Sequence, residues 1–290
     1  MIKSMMNKYE MPCFNVSKIK GDNIFILGIG GGSDVVGAYG LASIIKTSNP
    51  KSLVNFGLCV SKKTDYTGFK KINNSLYQRD NPQSASNNPH TSLKLIGDMA
   101  SVGSHLPNPY ILSRLPKYGK ISKKYSLLEF YQELYNEFLN ALNFINPDVV
   151  IAIDMGGDSL TCGVEDENSF DISGLKTLKK IGKPFIYIIF GIGCDGESTV
   201  EMITNALEKE YVKNSLLGEF SLSELIDLTG PISKSILNKD RTPNIIADAQ
   251  STLDKSGDGM ITIPRHIEPQ IPLSWLVKGI AFNGLKLSTN

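Results

Sequence analysis

Three continuous apolar runs stand out along the chain, and glycines and acidic residues follow each of them directly. The runs cover residues 23–29, 148–154 and 184–190. An unbroken apolar run of this length is typical of a strand that is buried on both faces of a parallel sheet. The pattern therefore predicts three central strands, and residues 52–60 predict a fourth.

Apolar residues between these runs recur at spacings of three and four, which predicts amphipathic helices. The clearest example covers residues 125–144, where leucines and aromatic residues share one face. Because strands alternate with helices, we predict an α/β fold with an open, mostly parallel Rossmann-like sheet and helices on both faces. Further helices are predicted at residues 35–45, 172–181, 198–212, 221–238, 244–253 and 272–282, and a late strand at 260–263.

Two stretches depart from this alternation. Residues 61–90 are polar and rich in Asn, Ser and Lys, so we expect a loop, lid or partly disordered insertion there. Residues 93–114 contain glycines and prolines that prevent an assignment. The length of 290 residues fits a single α/β domain over residues 1–290, with a mostly helical C-terminal part at 214–290.

Charge and composition argue against several classes of protein. The 30 basic and 29 acidic residues give a net charge of +1, so we expect no nucleic-acid partner and no membrane surface. No segment reaches the roughly 20 apolar residues that span a bilayer, and residues 1–12 lack an apolar signal core. We therefore predict a cytoplasmic protein, which agrees with four cysteines that form no CxxC pair. The sequence leaves the oligomeric state open.

The turns after the three central runs share glycines, which let a ligand approach the backbone closely. Parallel strands end at one edge of a sheet, where such folds bind ligands, so we expect the three turns to converge. Free N–H groups at the start of a following helix suit an anion. The predicted ligand-binding residues are Gly28, Gly30, Gly31, Gly32, Ser33 and Asp34 in the first turn, Gly156, Gly157 and Ser159 in the second, and Gly191 and Gly193 in the third.

Acidic residues crowd the same predicted edge of the sheet. Carboxylates that lie close together repel one another and favour a cation, and oxygen ligands suit Mg²⁺ that bridges to a phosphate. We predict Asp154, Asp158 and Asp195 as ligands of Mg²⁺ or another divalent metal. Asp158, Glu165 and Glu197 are candidate catalytic residues, and one of the two glutamates would be the general base.

Glycines and acids together predict an anionic small-molecule ligand, either a phosphorylated metabolite or a nucleotide. A metal-dependent hydrolase or phosphotransferase is the enzyme class that best fits this combination. The alternative is a nucleotide- or metabolite-binding module without chemistry. A further alternative, an NADP-dependent oxidoreductase, has little support. Ser33 stands at the third glycine of the dinucleotide fingerprint, and Lys62 and Lys63 stand where that fingerprint has an acid.

Purely structural roles for some of these residues also stay open. Glycine-rich turns connect strands to helices in many proteins, and Asp34 and Asp195 could be helix N-caps. Arg265 could hold an anion through two parallel hydrogen bonds or belong to an ordinary surface pair.

Three short blocks carry a family resemblance: GIGGGSDVVGA at residues 28–38, IDMGGDS at 153–159 and FGIGCDGE at 190–197. In order and spacing they resemble an uncharacterised family, found largely in archaea and some bacteria, that is named domain of unknown function 1152. Gly163-Val164-Glu165 is similar to the short acidic element after that family's second block. The resemblance covers residues 23–212. It implies a Rossmann-like α/β fold and carries no catalytic role with it.

Overall fold

The computed structural model describes residues 11–102, 105–161 and 169–287, and one large sheet passes through them. The strands in these ranges form this sheet and a separate two-stranded hairpin. In chain order they are β1 (Asn23–Gly28), β2 (Leu53–Ser61), β3 (Phe69–Lys71), β4 (Leu76–Arg79), β5 (Tyr110–Arg114), β6 (Val149–Met155), β7 (Phe185–Phe190), β8 (Leu216–Ser221), β9 (Met260–Thr262), β10 (Gln270–Pro272) and β11 (Lys278–Asn283).

The α-helices in the same ranges lie between these strands, and two single 3₁₀ turns accompany them. No helix in the described ranges is both long enough and apolar enough to cross a bilayer. In chain order the helices are α1 (Asp34–Ser48), α2 (Pro82–Ser86), α3 (Thr91–Val102), α4 (Leu127–Ile145), α5 (Asp158–Thr161), α6 (Phe170–Ile181), α7 (Val200–Glu208), α8 (Glu210–Ser215), α9 (Ser223–Ile236), α10 (Thr242–Ser256) and α11 (Leu273–Leu276).

Five parallel strands form the centre of the large sheet, whose full order is β3-β4-β5-β2-β1-β6-β7-β11-β8. Every neighbouring pair from β5 to β7 is parallel, whereas every pairing beyond them at both edges is antiparallel. Chain order reverses at β1, which lies between β2 and β6, as in Rossmann-like sheets. The predicted fold class is confirmed in the described residues: a mixed α/β structure with a large, mostly parallel central sheet.

The continuous apolar runs are the buried strands that the sequence predicts. Ile24, Phe25, Ile26 and Leu27 of β1 are fully buried, and most of β6 and β7 is equally inaccessible. Complete burial of one such side chain stabilises a fold by about 1.5–3 kcal/mol relative to exposure. The centre of the sheet is therefore a well-packed support for the turns that follow these strands.

Helices cover the sheet in two separate groups. Helix α1 packs on β1, β2 and β6 and also contacts α3 and α9, whereas α4 packs on β5 and contacts α6. A Ser126–Glu129 capping box begins α4, and Asn146 in the left-handed conformation ends it. Because β2 and β6 lie on opposite sides of β1, the right-handed rule for parallel crossovers predicts that the two groups lie on opposite faces of the sheet.

Residues 61–90 differ from the predicted loop or lid. They contain β3, β4 and α2, and the two strands extend the sheet beyond β5. The strands are short and bury few side chains, such as Phe69 and Leu76, so no apolar periodicity reveals them. The unassigned residues 93–114 contain most of α3 and the whole of β5, one of the five central strands.

The C-terminal part also differs from its prediction. A helix over residues 272–282 is wrong, because only Leu273–Leu276 is helical and Lys278–Asn283 is the antiparallel strand β11. Strand β11 lies between β7 and β8 and is buried on both faces, so its continuous apolar residues have no strand-like alternation. The predicted late strand is β9, which pairs with β10 in the hairpin.

Candidate functional site

A cavity of about 580 Å³ lies at the carboxyl ends of the central strands. All three predicted turns contribute lining residues, which confirms that they converge at one edge of the sheet. Residues from the C-terminal part complete its wall. Its acidic lining residues are Asp34, Asp154, Asp158, Asp171, Asp195 and Glu197, and its basic ones are Lys63, Lys117, Lys120, Arg241 and Arg265.

Asp34 joins the first turn to the second. Its Oδ2 accepts a hydrogen bond from the N–H of Gly30 at 2.7 Å, and its Oδ1 accepts one from the N–H of Met155 at 3.1 Å. Burial, followed by the nearby charges of Asp171 and Asp154, raises the pKa of Asp34 well above its ordinary value, and the two N–H groups oppose that shift. Since Ser33 is the N-cap of α1, the N-cap role considered for Asp34 is wrong.

Asp154, at the end of β6, is the most firmly held carboxylate of the site. Its Oδ1 accepts a hydrogen bond from the N–H of Gly157 at 3.1 Å. Its Oδ2 accepts hydrogen bonds from the N–H of Ser159 at 3.3 Å, from the Tyr187 hydroxyl at 2.8 Å and from the Ser159 hydroxyl. These hydrogen bonds fix the orientation of the Asp154 carboxylate, which lines the cavity.

Asp154, Asp158 and Asp171 form a compact cluster of oxygen ligands. One carboxylate oxygen from each lies within 4.8 Å of the others. Burial raises the pKa of Asp158 well above its ordinary value, and the charges of Asp171 and Asp154 raise it further. A divalent cation would relieve this repulsion, and three hard oxygen donors at this separation fit Mg²⁺ or Ca²⁺.

Asp171 reaches the cluster because Gly30 has no side chain. Asp171 lies in the first turn of α6, whose N-cap Ser169 accepts a hydrogen bond from the N–H of Ile172. A Cβ atom on Gly30 would lie 1.5 Å from Oδ1 of Asp171, far inside van der Waals contact. Gly30 of the first glycine-rich turn therefore makes room for an acid that belongs to helix α6.

Asp195 has the same relation to Gly156 in the second turn. A Cβ atom on Gly156 would lie 2.0 Å from Oδ2 of Asp195, and the backbone φ of +123° at Gly156 is also unfavourable for other residues. Oδ1 of Asp195 accepts a hydrogen bond from the N–H of Glu197 at 2.9 Å, whereas the buried Oδ2 has no hydrogen-bond partner within the described ranges. Burial, assisted by the charges of Asp154 and Glu197, raises the pKa of Asp195 to about 7.

Two arginines face the acids from the C-terminal part of the chain. Arg241 precedes α10 and donates a hydrogen bond from Nη2 to the Ser33 hydroxyl at 3.3 Å. Arg265 follows β9 and donates from Nη1 to the Thr242 hydroxyl at 3.4 Å. Burial lowers the pKa of Arg241, and the charge of Arg265 lowers it further. Two guanidinium groups that repel each other inside one cavity form a good site for an anion.

Glu197 forms an ion pair with His266 at the edge of the cavity, with Oε1 3.2 Å from Nε2 of the imidazole. Glu197 is the more buried partner, with 14% of its side chain exposed against 38% for His266. The pair therefore sets the Glu197 carboxylate next to an imidazole, and Glu197 lines the same cavity as Arg265. This is a suitable position for a general base.

Several predicted ligand-binding residues lie behind the cavity and do not line it. Ser159 and the N–H of Gly157 hold Asp154, and a Cβ atom on Gly28 would lie 2.7 Å from Cβ of Asp34. The predicted residues that do not line it are Gly28, Gly156, Gly157, Ser159, Gly191 and Gly193; those that line it are Gly30, Gly31, Gly32, Ser33, Asp34, Asp154, Asp158, Asp195 and Glu197. The remaining candidate, Glu165, lies outside the described residues.

Sequence reasoning missed Asp171 and Arg241. Asp171 occupies an ordinary position in the first turn of a helix, where acids are common for electrostatic reasons alone. Arg241 precedes Thr242 and Pro243, which indicate only that a helix begins there. Their placement depends on how distant segments pack, so neither residue has a local pattern that would reveal it.

Comparison with known proteins gives a family match for part of the chain. The family is described as a protein of unknown function (DUF1152). Residues 122–238 match it. This confirms the predicted resemblance for that range. The DUF1152 match includes Asp154, Asp158, Asp171 and Asp195, whereas the first glycine-rich turn, Arg241 and Arg265 lie outside it.

No curated protein matches the chain significantly. Among solved structures, the chain is similar to UDP-GlcNAc 2-epimerase from Neisseria meningitidis in a structure bound to UDP-GlcNAc. The two share 8% sequence identity with a TM-score of 0.31, and the match covers 80% of this chain. The chain spans half the length of that epimerase chain, with 50% of it covered.

Proposed function

We propose that the cavity binds a phosphorylated small molecule together with a divalent cation, and that the protein is a metal-dependent phosphotransferase or hydrolase. The observation that supports this most directly is the arrangement of charge within a single cavity. Buried carboxylates occupy its deep part, and half-buried or exposed arginines and lysines surround its outer part. A cation and an anionic ligand would neutralise both sets at once.

Asp154, Asp158 and Asp171 would hold the cation. Their clustered oxygens suit a hard divalent ion, and Mg²⁺ usually takes one or more carboxylates together with waters and substrate phosphate oxygens. Asp195 adds a buried oxygen that has no hydrogen-bond partner within the described ranges and therefore lacks compensation for its desolvation. It fits either as a further ligand or as an acceptor from a metal-bound water.

Arg241 and Arg265 would hold the phosphate. Both line the same cavity as the acids, and guanidinium groups bind phosphate through two parallel hydrogen bonds. Gly31 and Gly32 line the cavity and, without side chains, leave room for a phosphate beside Ser33. Arginines that neutralise charge on a transferring phosphoryl group are a recurrent part of phosphoryl-transfer sites.

Glu197 is the residue we propose as general base. A carboxylate of this kind accepts the proton of the attacking hydroxyl or water, and the contact with His266 orients it. The cation supplies charge stabilisation of the phosphoryl oxygens when it is bound. The chain itself supplies the position of the acids and the arginines.

The NADP-dependent oxidoreductase gains no support from the residues after β2. Lys62, one of the two lysines at that position, forms ion pairs with Glu133 at 3.0 Å and with Glu137. A lysine that is engaged in this way is poorly placed to bind the 2′-phosphate of NADP. Lys63 lines the cavity but is a single exposed charge.

A phosphate-release assay tests the proposal. The protein would be incubated with a panel of phosphomonoesters and nucleotides, with Mg²⁺ or with EDTA, beside the variants Asp158→Asn and Glu197→Gln. We expect Mg²⁺-dependent release of phosphate from part of the panel, with loss of turnover in both variants and retained ligand binding in Glu197→Gln. Mg²⁺-dependent binding without turnover of any compound would instead support the binding module.

A further inference from the structure

A second, smaller pocket of about 150 Å³ adjoins the main cavity. The two share Gly30, Gly31, Gly32, Ser61 and Phe170 as lining residues, so one ligand can contact both. We call this space the side pocket, and its remaining lining residues are Cys59, Val60, His90 and Ser92.

The side pocket differs from the main cavity because none of its lining residues is charged at neutral pH. Burial raises the pKa of the Cys59 thiol to about 12, and partial desolvation lowers the pKa of His90 below its ordinary value. Ser61, His90 and Ser92 provide polar groups, while Val60, Cys59 and Phe170 provide apolar surface. Such a lining suits an uncharged polar group and offers no charged side chain to a second phosphate.

Ser92 gives the side pocket an unused hydrogen-bonding group. The residue is 7% exposed, and its hydroxyl has no hydrogen-bond partner among the residues that the structure describes. A hydroxyl that lines a pocket and bonds to no protein group is available to a polar group of a ligand. Its position in the first turn of α3, two residues after His90, sets both groups along one wall of the pocket.

Size limits what the side pocket can hold. A cavity of about 150 Å³ accommodates one six-membered ring. Phe170 forms part of the boundary between the two spaces, and its ring is held by the Arg114 guanidinium, whose Cζ lies 3.9 Å from the ring centroid. The position of the Phe170 ring is therefore fixed, and the side pocket has room for a single ligand ring beside Phe170.

We infer that the ligand is the phosphate ester of a single polyhydroxylated ring, a monosaccharide phosphate. The ring would occupy the side pocket, with its hydroxyls on Ser61, His90 and Ser92, and the phosphate would lie in the main cavity between the cation and the arginines. This inference depends on the proposed function, because it assigns the phosphate to the same cavity. It adds to the proposed function the chemical class of the organic part of the ligand.

Calorimetric titration in the presence of Mg²⁺ tests the inference. The probes are inorganic phosphate, glucose 6-phosphate, ribose 5-phosphate and AMP, with the wild-type chain and the variants Ser92→Val, His90→Phe and, as a surface control, Ser235→Ala. We expect at least one sugar phosphate to bind about tenfold more tightly than inorganic phosphate, as one or two additional hydrogen bonds would give. Ser92→Val and His90→Phe should remove most of that advantage without weakening binding of inorganic phosphate.

Two results would overturn the inference, and they are distinguishable from failure of the proposed function. Sugar phosphates that bind no more tightly than inorganic phosphate would leave the phosphate site intact and exclude the ring from the side pocket. Preferential binding of AMP alone, unaffected by Ser92→Val, would also exclude the sugar ring from the side pocket. Absence of Mg²⁺-dependent binding for inorganic phosphate and all esters would contradict the proposed function itself.

Discussion

Single glycines in this protein make room for carboxylates. Gly30 lies against Asp171 of α6, and Gly156 lies against Asp195 of the third turn. Each glycine therefore leaves space for an acid from another segment of the chain. A glycine-rich turn beside a strand is usually explained by phosphate binding to its N–H groups. Here the N–H of Gly30 donates to Asp34, and the glycine has a second role in bringing acids together.

The substitution Gly30→Ala tests this role. The new Cβ would lie 1.5 Å from Oδ1 of Asp171, so either the acid or the turn must move. We expect a loss of about 1–3 kcal/mol in the free energy of unfolding, as for other overpacked sites, and weaker Mg²⁺ binding. The matched control is Gly259→Ala before β9, where a Cβ meets nothing within 4 Å and which should be neutral or stabilising. Equal effects of the two substitutions would exclude the proposed crowding.

The substitution Asp158→Asn separates stability from cation binding. Removal of a buried charge whose pKa is raised by burial and by neighbouring acids should increase the stability of the metal-free protein at neutral pH. A bound cation should add about 2.7 kcal/mol to the wild type at 100 times its Kd, and the variant should lose most of that gain. Chemical denaturation with Mg²⁺ or EDTA measures both effects. The exposed Asp227→Asn serves as the control, and a variant with full Mg²⁺ stabilisation would rule out Asp158 as a ligand.

Asp195 predicts how the stability of the metal-free protein depends on pH. Its pKa is about 7 in the folded chain against an ordinary value of 3.8, so the folded state binds the proton more tightly than the unfolded state. The free energy of unfolding should therefore fall as pH rises from about 4 to about 7, by at most about 1.4 kcal/mol per pH unit for this group. Asp195→Asn should flatten that fall in urea denaturation series. An unchanged pH profile in the variant would contradict the assignment.

Among the larger elements, α6 has an unusual anchor. Arg114, at the end of β5, is fully buried and donates hydrogen bonds to the Phe170 carbonyl at 2.7 Å and to the Ser173 hydroxyl at 2.6 Å. These contacts hold the first turn of α6, which carries Asp171. Arg114 is therefore a positioning residue for the acidic cluster.

Arg114→Lys should weaken that position. Lysine has no planar fork with which to reproduce the two contacts and the stacking on Phe170. We expect weaker Mg²⁺ binding by about 10–100-fold, as for other residues that orient metal ligands. Ser173→Ala removes one contact and should have a smaller effect. Calorimetric titration with Mg²⁺ measures the affinity of each variant. A loss of stability with unchanged Mg²⁺ affinity would show that Arg114 supports only the fold.

The sequence predicts most of the elements that carry a strong apolar pattern. Strands β1, β2, β6 and β7 and helix α4 follow from continuous runs or from helical spacing. Strand β5 and the edge strands β3 and β4 do not, because they are short or are flanked by glycines and prolines. Strand β11 appears helical in sequence because it is apolar on both faces.

At the scale of the whole molecule, topology explains which parts of the site could be foreseen. Three turns at the ends of parallel strands must share an edge, so Asp154, Asp158 and Asp195 follow from strand assignment alone. Arg241 and Arg265 come from the C-terminal part, whose path across that edge depends on tertiary packing. Asp154, Asp158 and Asp195 are therefore visible in the sequence, whereas the places of Asp171 and Arg241 in the site become apparent only in three dimensions.

The central claim is that a divalent cation and a phosphate bind this cavity together. Its most direct test is calorimetric titration of inorganic phosphate into the protein with excess Mg²⁺ and, separately, with EDTA, after subtraction of the heat of mixing. Joint binding predicts at least about tenfold tighter phosphate binding with Mg²⁺, the size of an ordinary coupling between two ligands, and no such gain in Asp158→Asn. Equal phosphate affinity with Mg²⁺ and with EDTA would contradict it.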